Sequence, residues 1–245
     1  MPGRHRADPE TRAWRRSNRG EIRLSRRDSY GLSLCAEHDA APCDLLAAAL
    51  GLQPARLRGT LAGWRKAGLV VTGRVDAGPA WCWLSPAGMA ATGLGYPTGR
   101  PAVTRLAHLR AVLAARLWLE ASPSFRQGAP WWHSARRLRS ALPGPAAGHV
   151  PDAEIHWPTL PGLPYGGQVW ALEAELAPSS LARTARIMDG LLSGPGEYGH
   201  VLYLTSPAAR PVVTRAAAGL APDRHVRVMI RDLPSSAFTP QDIPA

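Results

Sequence analysis

The sequence predicts a chain of mixed α/β class, α+β in organisation and built in two parts, and three observations carry that prediction. Apolar residues recur at helical spacing through residues 28–66, and two short β-favouring runs around a Gly-Pro turn follow them. Beyond residue 102 the order changes to helix, three strands, helix, strand, helix, strand. A glycine- and proline-rich stretch, residues 93–101, separates the two patterns. A chain of 245 residues, 45% of them apolar, can give each part its own core.

Residues 1–27 hold nine arginines against Asp8, Glu10 and Glu21 and almost no periodic apolar residues, the composition of a flexible basic arm. A first helix is expected over residues 28–40, with Tyr30, Leu32, Leu34 and Cys35 on its apolar side. Asp44, following Pro42, is placed to cap a short apolar helix that Gly51 breaks. Gln53-Pro54 opens the next helix, with proline at the first-turn position where a missing N–H costs nothing. Leu57, Leu61 and Trp64 form its buried face; Ala55, Gly59, Ala62 and Lys66 fall opposite, flanked by Arg56, Arg58 and Arg65. After Gly68, residues 69–72 and 80–84 read as strands around Asp76-Ala77-Gly78-Pro79, a β-hairpin. Ser85-Pro86 starts a short helix that Gly93 closes.

That order is the order of a winged helix-turn-helix, assigned to residues 28–95. Small residues between long cations suit a helix lying in a DNA major groove, because the backbone approaches closely while arginines reach guanine edges or phosphates. Gln53, Arg56, Arg58, Arg65 and Lys66 are the expected contacts on the helix, and Arg74 on the hairpin would hold a phosphate. The charge agrees. Codon bias explains 28 arginines against one lysine, but not 29 basic residues against 18 acidic ones, a net charge of +11. The same elements would also fit a helical hairpin and β-ribbon that merely pack.

In the second part, residues 102–233, a helix follows Thr104 with Leu106, Leu109, Leu113 and Leu117 as one apolar stripe through to Glu120. Residues 131–139, 150–157 and 168–176 read as strands, and 179–192 as a helix with Leu181, Ala185, Met188 and Leu192 on one side. Residues 201–204 form a short apolar run of the kind found in parallel pairing. A helix over 207–219 and a strand over 226–230 complete the order, and residues 234–245 form a tail. The expected fold is a PD-(D/E)xK-like αβββαβ domain, the core of restriction-endonuclease-like proteins.

Such a nuclease site needs an Asp at the head of one strand, an acid on the next, and a lysine two residues later. The carboxylates hold Mg²⁺, and the lysine positions or activates the attacking water. Asp152 stands at the head of one expected strand, and Glu173 and Glu175 share one face of the next. If the site is active, these are its catalytic residues, with Asp152 and Glu173 as metal ligands. The lysine position is filled by Glu175, however, and the one lysine in the chain is Lys66. Arg183 or Arg186 would replace its charge but not its proton-accepting role near neutral pH. The competing reading is that the three acids make ordinary ion pairs with Arg136, Arg137 or Arg139 on the adjacent strand.

The same inventory removes other enzymes. Lys66 lacks the glycine spacing of a phosphate loop, and neither a Gly-x-Ser-x-Gly elbow nor a His-Glu-x-x-His helix occurs. His108, His133, His149, His156 and His200 stand singly in the sequence and are read as surface or loop residues. Cys35, Cys43 and Cys82 lack a Cys-x-x-Cys spacing, and Cys35, His38 and Cys43 want a fourth zinc ligand. With no membrane-length apolar run and no signal-peptide pattern, a cytoplasmic protein is expected.

With both parts in view, the chain resembles the replication-relaxation family of actinobacterial plasmids and integrative elements, over residues 24–232. The matching stretches are LRGTLAGWRKAGLV from Leu57, WCWLSPAGMAATG from Trp81 and RLAHLRAVLAARLWLE from Arg105. HVPDAEI from His149, WALEAELAPSS from Trp170 and HVLYLT from His200 continue the pattern. The resemblance implies a winged helix joined to an endonuclease-like fold, serving mobile DNA. It also implies a lysine where this chain has Ser179, an acid in the strand reading Ser134-Ala135-Arg136, and another near Ala114. All three are missing, as in a degenerate, binding-only relative.

The expectation is a double-stranded DNA-binding protein of a mobile element, acting in replication, transfer or transcription, with no cofactor. Its second domain would mediate a homodimer or dock a replication or transfer protein, with Trp131-Trp132 a candidate interface pair. Two other readings fit the same residues: a Mg²⁺-dependent nickase or endonuclease, and a protein-interaction scaffold.

Overall fold

In the computed structural model, which describes residues 23–142, 148–193 and 198–234, α1 (Arg26–Glu37) begins at a capping box. The Ser25 hydroxyl accepts the Asp28 amide, and the Asp28 carboxylate accepts the Ser25 amide at 2.9 Å. The helix therefore starts two residues before the expected range of 28–40 and ends earlier, so Arg26 and Arg27 belong to it and not to the arm. Residues 1–22 of the arm and 235–245 of the tail lie outside the described residues.

A two-residue strand β1 (Ala41–Pro42) leads into α2 (Cys43–Leu50). The expected cap at Asp44 does not form. Pro42 occupies the capping position, and Asp44 sits in the first turn, where Arg110 holds both of its oxygens. Gly51, at φ 61°, closes α2 in the left-handed region that favours glycine. Then come α3 (Pro54–Lys66), β2 (Val70–Gly73), β3 (Trp81–Leu84) and α4 (Pro86–Thr92). The strands form an antiparallel sheet in the order β1-β3-β2. Leu57, Leu61 and Trp64 are the buried residues of α3, as the periodicity predicts.

The chain divides into two units between Leu113 and Ala114, inside α5 (Leu106–Ala121). In the first unit, Ala40, Val75, Trp81, Trp83, Leu106 and Leu109 form one apolar cluster. The second continues with α6 (Pro123–Gly128), β4 (Trp131–Ser134), α7 (Ala135–Ala141), β5 (Ala153–His156) and β6 (Val169–Glu175). It ends with α8 (Leu181–Ser193), β7 (His200–Thr205), α9 (Arg210–Ala218), α10 (Pro222–His225) and β8 (Val228–Asp232).

These five strands form one sheet in the order β4-β5-β6-β7-β8. Pairing is antiparallel from β4 to β6 and parallel from β6 to β8. The chain is thus of mixed α/β class. One expectation fails locally: the strand over 131–139 stops at Ser134, whose hydroxyl accepts the Arg137 amide at 3.2 Å and caps α7. Ala135-Arg136-Arg137-Leu138-Arg139 is a run of strong helix formers, and once capped it leaves the sheet. Helices α8 and α9 bury Met188, Leu191, Leu192 and Val213 against Ala171, Val201 and Tyr203 on one face of the sheet. Among the described residues, no helix is long and apolar enough to cross a membrane.

Candidate functional site

The outward surface of α3 is open. Apart from Leu57, Leu61 and Trp64, no residue of this helix is buried, and Gly59 and Gly63 face empty space. Gln53, Arg56, Arg58, Arg65, Lys66 and Arg74 are all exposed. Helical spacing puts Arg58 and Arg65 on one flank and Arg56 on the other, with Lys66 between them beside Ala55, Gly59 and Ala62. Arg65 is engaged by the hairpin, its guanidinium donating to the Thr72 hydroxyl at 3.3 Å. Arg74 follows β2, and its carbonyl accepts from Arg100 at 3.4 Å. In the hairpin loop, the Gly78 amide donates to the Asp76 carboxylate at 2.9 Å.

In the second unit the three acids converge. Asp152 stands just before β5; its amide donates to the Leu172 carbonyl at 3.0 Å and its Oδ2 accepts the Ala174 amide at 2.9 Å. Glu173 and Glu175 share a face of β6, opposite Tyr203 and Thr205 of β7. Glu173 is buried, and its Oε1 lies 2.7 Å from Nε2 of His149. Burial pushes the Glu173 carboxyl up to about 7, helped by the charges of Asp152 and Glu175 and opposed by the bond from His149. The same bond raises the His149 imidazole, against burial and the nearby Arg183 guanidinium. The buried Tyr203 hydroxyl has no hydrogen-bond partner among the described residues, and desolvation plus the three acids push its pKa up.

A Mg²⁺ ion at these acids would have to compete with the imidazole that His149 sets against Glu173. A hard cation takes ionised oxygen donors and keeps several waters. Glu173 is desolvated and bonded to an imidazole, and burial together with the neighbouring acids raises its carboxyl pKa. The arginines expected beside these acids on a strand, Arg136, Arg137 and Arg139, stand on α7.

The histidines do not stand singly, contrary to the sequence reading. His149 is the partner of Glu173. On the same sheet face, His133 of β4 pairs in register with Glu154 of β5, and His156 follows two residues on. Oε2 of Glu154 lies 2.7 Å from Nε2 of His156 and 3.9 Å from Nδ1 of His133. Oε1 accepts the Tyr198 hydroxyl at 2.6 Å. Desolvation would raise the Glu154 carboxyl, but the bonds from His156 and Tyr198 outweigh it and hold the pKa low. The Glu154-x-His156 spacing was a usable signal. It gained meaning only with the β4–β5 register, which a single sequence does not display. Of the tryptophan pair, Trp131 is exposed and Trp132 buried beneath the Arg116 guanidinium.

No protein-family model and no curated protein matches this sequence. Among solved structures, the chain is similar to N,N-8-amino-8-demethyl-D-riboflavin dimethyltransferase from Streptomyces davawensis, at 17% identity and a TM-score of 0.20. That alignment covers 83% of this chain and 61% of the other. A likeness at that score carries no argument about fold or reaction.

Proposed function

We propose that this chain is a double-stranded DNA-binding protein of a mobile element, its first unit a winged helix-turn-helix and its second a PD-(D/E)xK-like domain that does not cleave. One observation carries the reading. The open side of α3 has no acid along its whole length, and presents Arg56, Arg58 and Lys66 around small, uncovered residues. A helix of that composition can approach a duplex closely, with its cations at phosphates and base edges. The element order of the first unit and the β1-β3-β2 sheet support the winged-helix assignment. The strand order of the second unit supports the nuclease-like one, and the absence of any lysine outside α3 argues against catalysis there.

On this reading Gln53, Arg56, Arg58 and Lys66 read or clamp the major groove, while Arg65 and Arg74 face phosphates at the hairpin. The second unit serves a homodimer or docks a replication or transfer protein, and the protein works in the cytoplasm. Fluorescence anisotropy of a labelled duplex library over a salt series, with Mg²⁺ present, tests it. Salt-sensitive binding with intact strands on a denaturing gel is the expected result. Cut strands would restore a nickase at Asp152, Glu173 and Glu175, and absence of binding would make the first unit a protein-docking scaffold.

A further inference from the structure

We infer that His133, Glu154 and His156 form a binding site for a first-row divalent transition metal, with zinc the best match. The site lies on the β4–β5 edge of the sheet and is separate from the Asp152, Glu173 and Glu175 acids. Two neutral imidazoles and one carboxylate are a borderline-soft donor set that suits zinc and its neighbours, not magnesium or calcium.

The backbone builds the site. Antiparallel register sets His133 directly opposite Glu154, and strand periodicity brings His156 to the same face. One donor atom from each residue can be chosen so that all three lie within 4.8 Å of one another. Around a tetrahedral zinc, with bonds of about 2.0–2.2 Å, neighbouring donors stand roughly 3.3 Å apart. The observed 2.7 Å and 3.9 Å from Glu154 Oε2 to the two imidazoles straddle that spacing. Side-chain rotation would have to draw in the wider spacings, none above 4.8 Å, to close the set. The imidazole rings already lie against each other, with centroids 4.1 Å apart.

A second observation concerns the carboxylate. Tyr198 donates to Oε1 of Glu154 and leaves Oε2 turned toward both histidines. Outer hydrogen bonds of this kind fix a ligating carboxylate in metal sites. The three side chains are 21%, 16% and 26% exposed, screened from bulk water yet open to an entering ion. Three protein ligands leave a fourth position for water or an exogenous donor, the arrangement of open zinc sites.

The test uses the untagged full-length chain, stripped with EDTA, dialysed, and titrated with Zn²⁺ against a chromogenic chelator. One tight equivalent is expected. His133→Ala and His156→Ala should each weaken it at least about 100-fold, and Tyr198→Phe about 10-fold. Cys43→Ser should leave it unchanged. Substituted Co²⁺ should show visible bands without a thiolate charge-transfer band in the near ultraviolet. Zn²⁺ should raise the unfolding temperature of the parent chain but not of His156→Gln, which provides a readout if an alanine variant misfolds. No uptake by the parent chain, uptake indifferent to both histidines, or a thiolate band in the cobalt form would each overturn the assignment.

Discussion

The indole N–H of Trp64 donates to Oδ1 of Asp28 at 2.9 Å, while Oδ2 of the same carboxylate accepts the Ser25 amide and hydroxyl. One side chain thus starts α1 and anchors the inner face of α3. The helices meet where α1 carries Gly31, at which a Cβ would lie 2.6 Å from Cη2 of Trp64. With Trp64 held inward by both its ring and its N–H, the rotation of α3 is fixed, and its cationic side can only face outward.

Asp28→Ala should therefore destabilise the first unit beyond the loss of the return bond to Ser25 in the capping box. Losing the reciprocal half of the capping box costs at most about 0.5–2 kcal/mol, since Ser25 still caps the helix. An orphaned, part-buried indole N–H adds about 1–3 kcal/mol. A total near 2 kcal/mol is expected from urea unfolding followed by tryptophan fluorescence. Asp28→Asn keeps one acceptor and should lose less. If Asp28→Ala unfolds within about 0.5 kcal/mol of the parent, the carboxylate does not couple the helices.

Arg56→Ala combined with Arg58→Ala should weaken duplex binding about 10- to 100-fold. If both arginines contact phosphate, the slope of log affinity against log salt should fall in magnitude by about 2. Should base edges be the contacts, the loss would depend on sequence and the slope would change less. Unchanged affinity across the library would remove α3 as the recognition helix.

Periodicity and capping made most of the fold legible. Leu57, Leu61 and Trp64 marked the inner face of α3, and Ser85-Pro86 and Gly93 bounded α4. Errors arose where competition between local signals decided the outcome. The expected start of α1 is residue 28, but Ser25 caps a helix that begins two residues earlier, and the Asp28 carboxylate returns the bond to Ser25. Ser134 turned an apparent strand into α7 in the same way. In the candidate sites, the period-two spacing of Glu173 and Glu175 was readable. The partnership of His149 with Glu173, and of His133 with Glu154, depended on loop path and strand register. Neither is written in any local pattern.

Mg²⁺ should add no strand cleavage. No lysine stands beside Asp152 and Glu173, and Glu173 is committed to His149. Supercoiled plasmid incubated with the protein and Mg²⁺ should stay supercoiled, and Asp152→Ala should bind duplex within about twofold of the parent. Nicked plasmid that disappears in Asp152→Ala would reverse this and make the acids catalytic.

The His149–Glu173 pair should make the second unit less stable as pH rises through neutrality. Glu173 has a folded pKa raised to about 7, so the folded state holds that proton more tightly than the unfolded chain. Stability from this proton is complete below the ordinary carboxylate range and is lost as pH climbs through the folded value. His149 is also raised, which gives the same sign: its contribution is present at low pH and fades as the imidazole deprotonates. His200 works the other way. Burial and Arg227 lower its pKa, so it costs stability as pH falls below the ordinary histidine range. The decisive quantity is therefore the difference between the parent and Glu173→Gln, which keeps the shape and removes the titration. Between about pH 5 and 8 the parent's unfolding temperature should fall more steeply than that of Glu173→Gln, so that the variant gains on the parent toward alkaline pH. Parallel profiles would mean that Glu173 is ionised throughout, and the carboxylate would again be available to a cation.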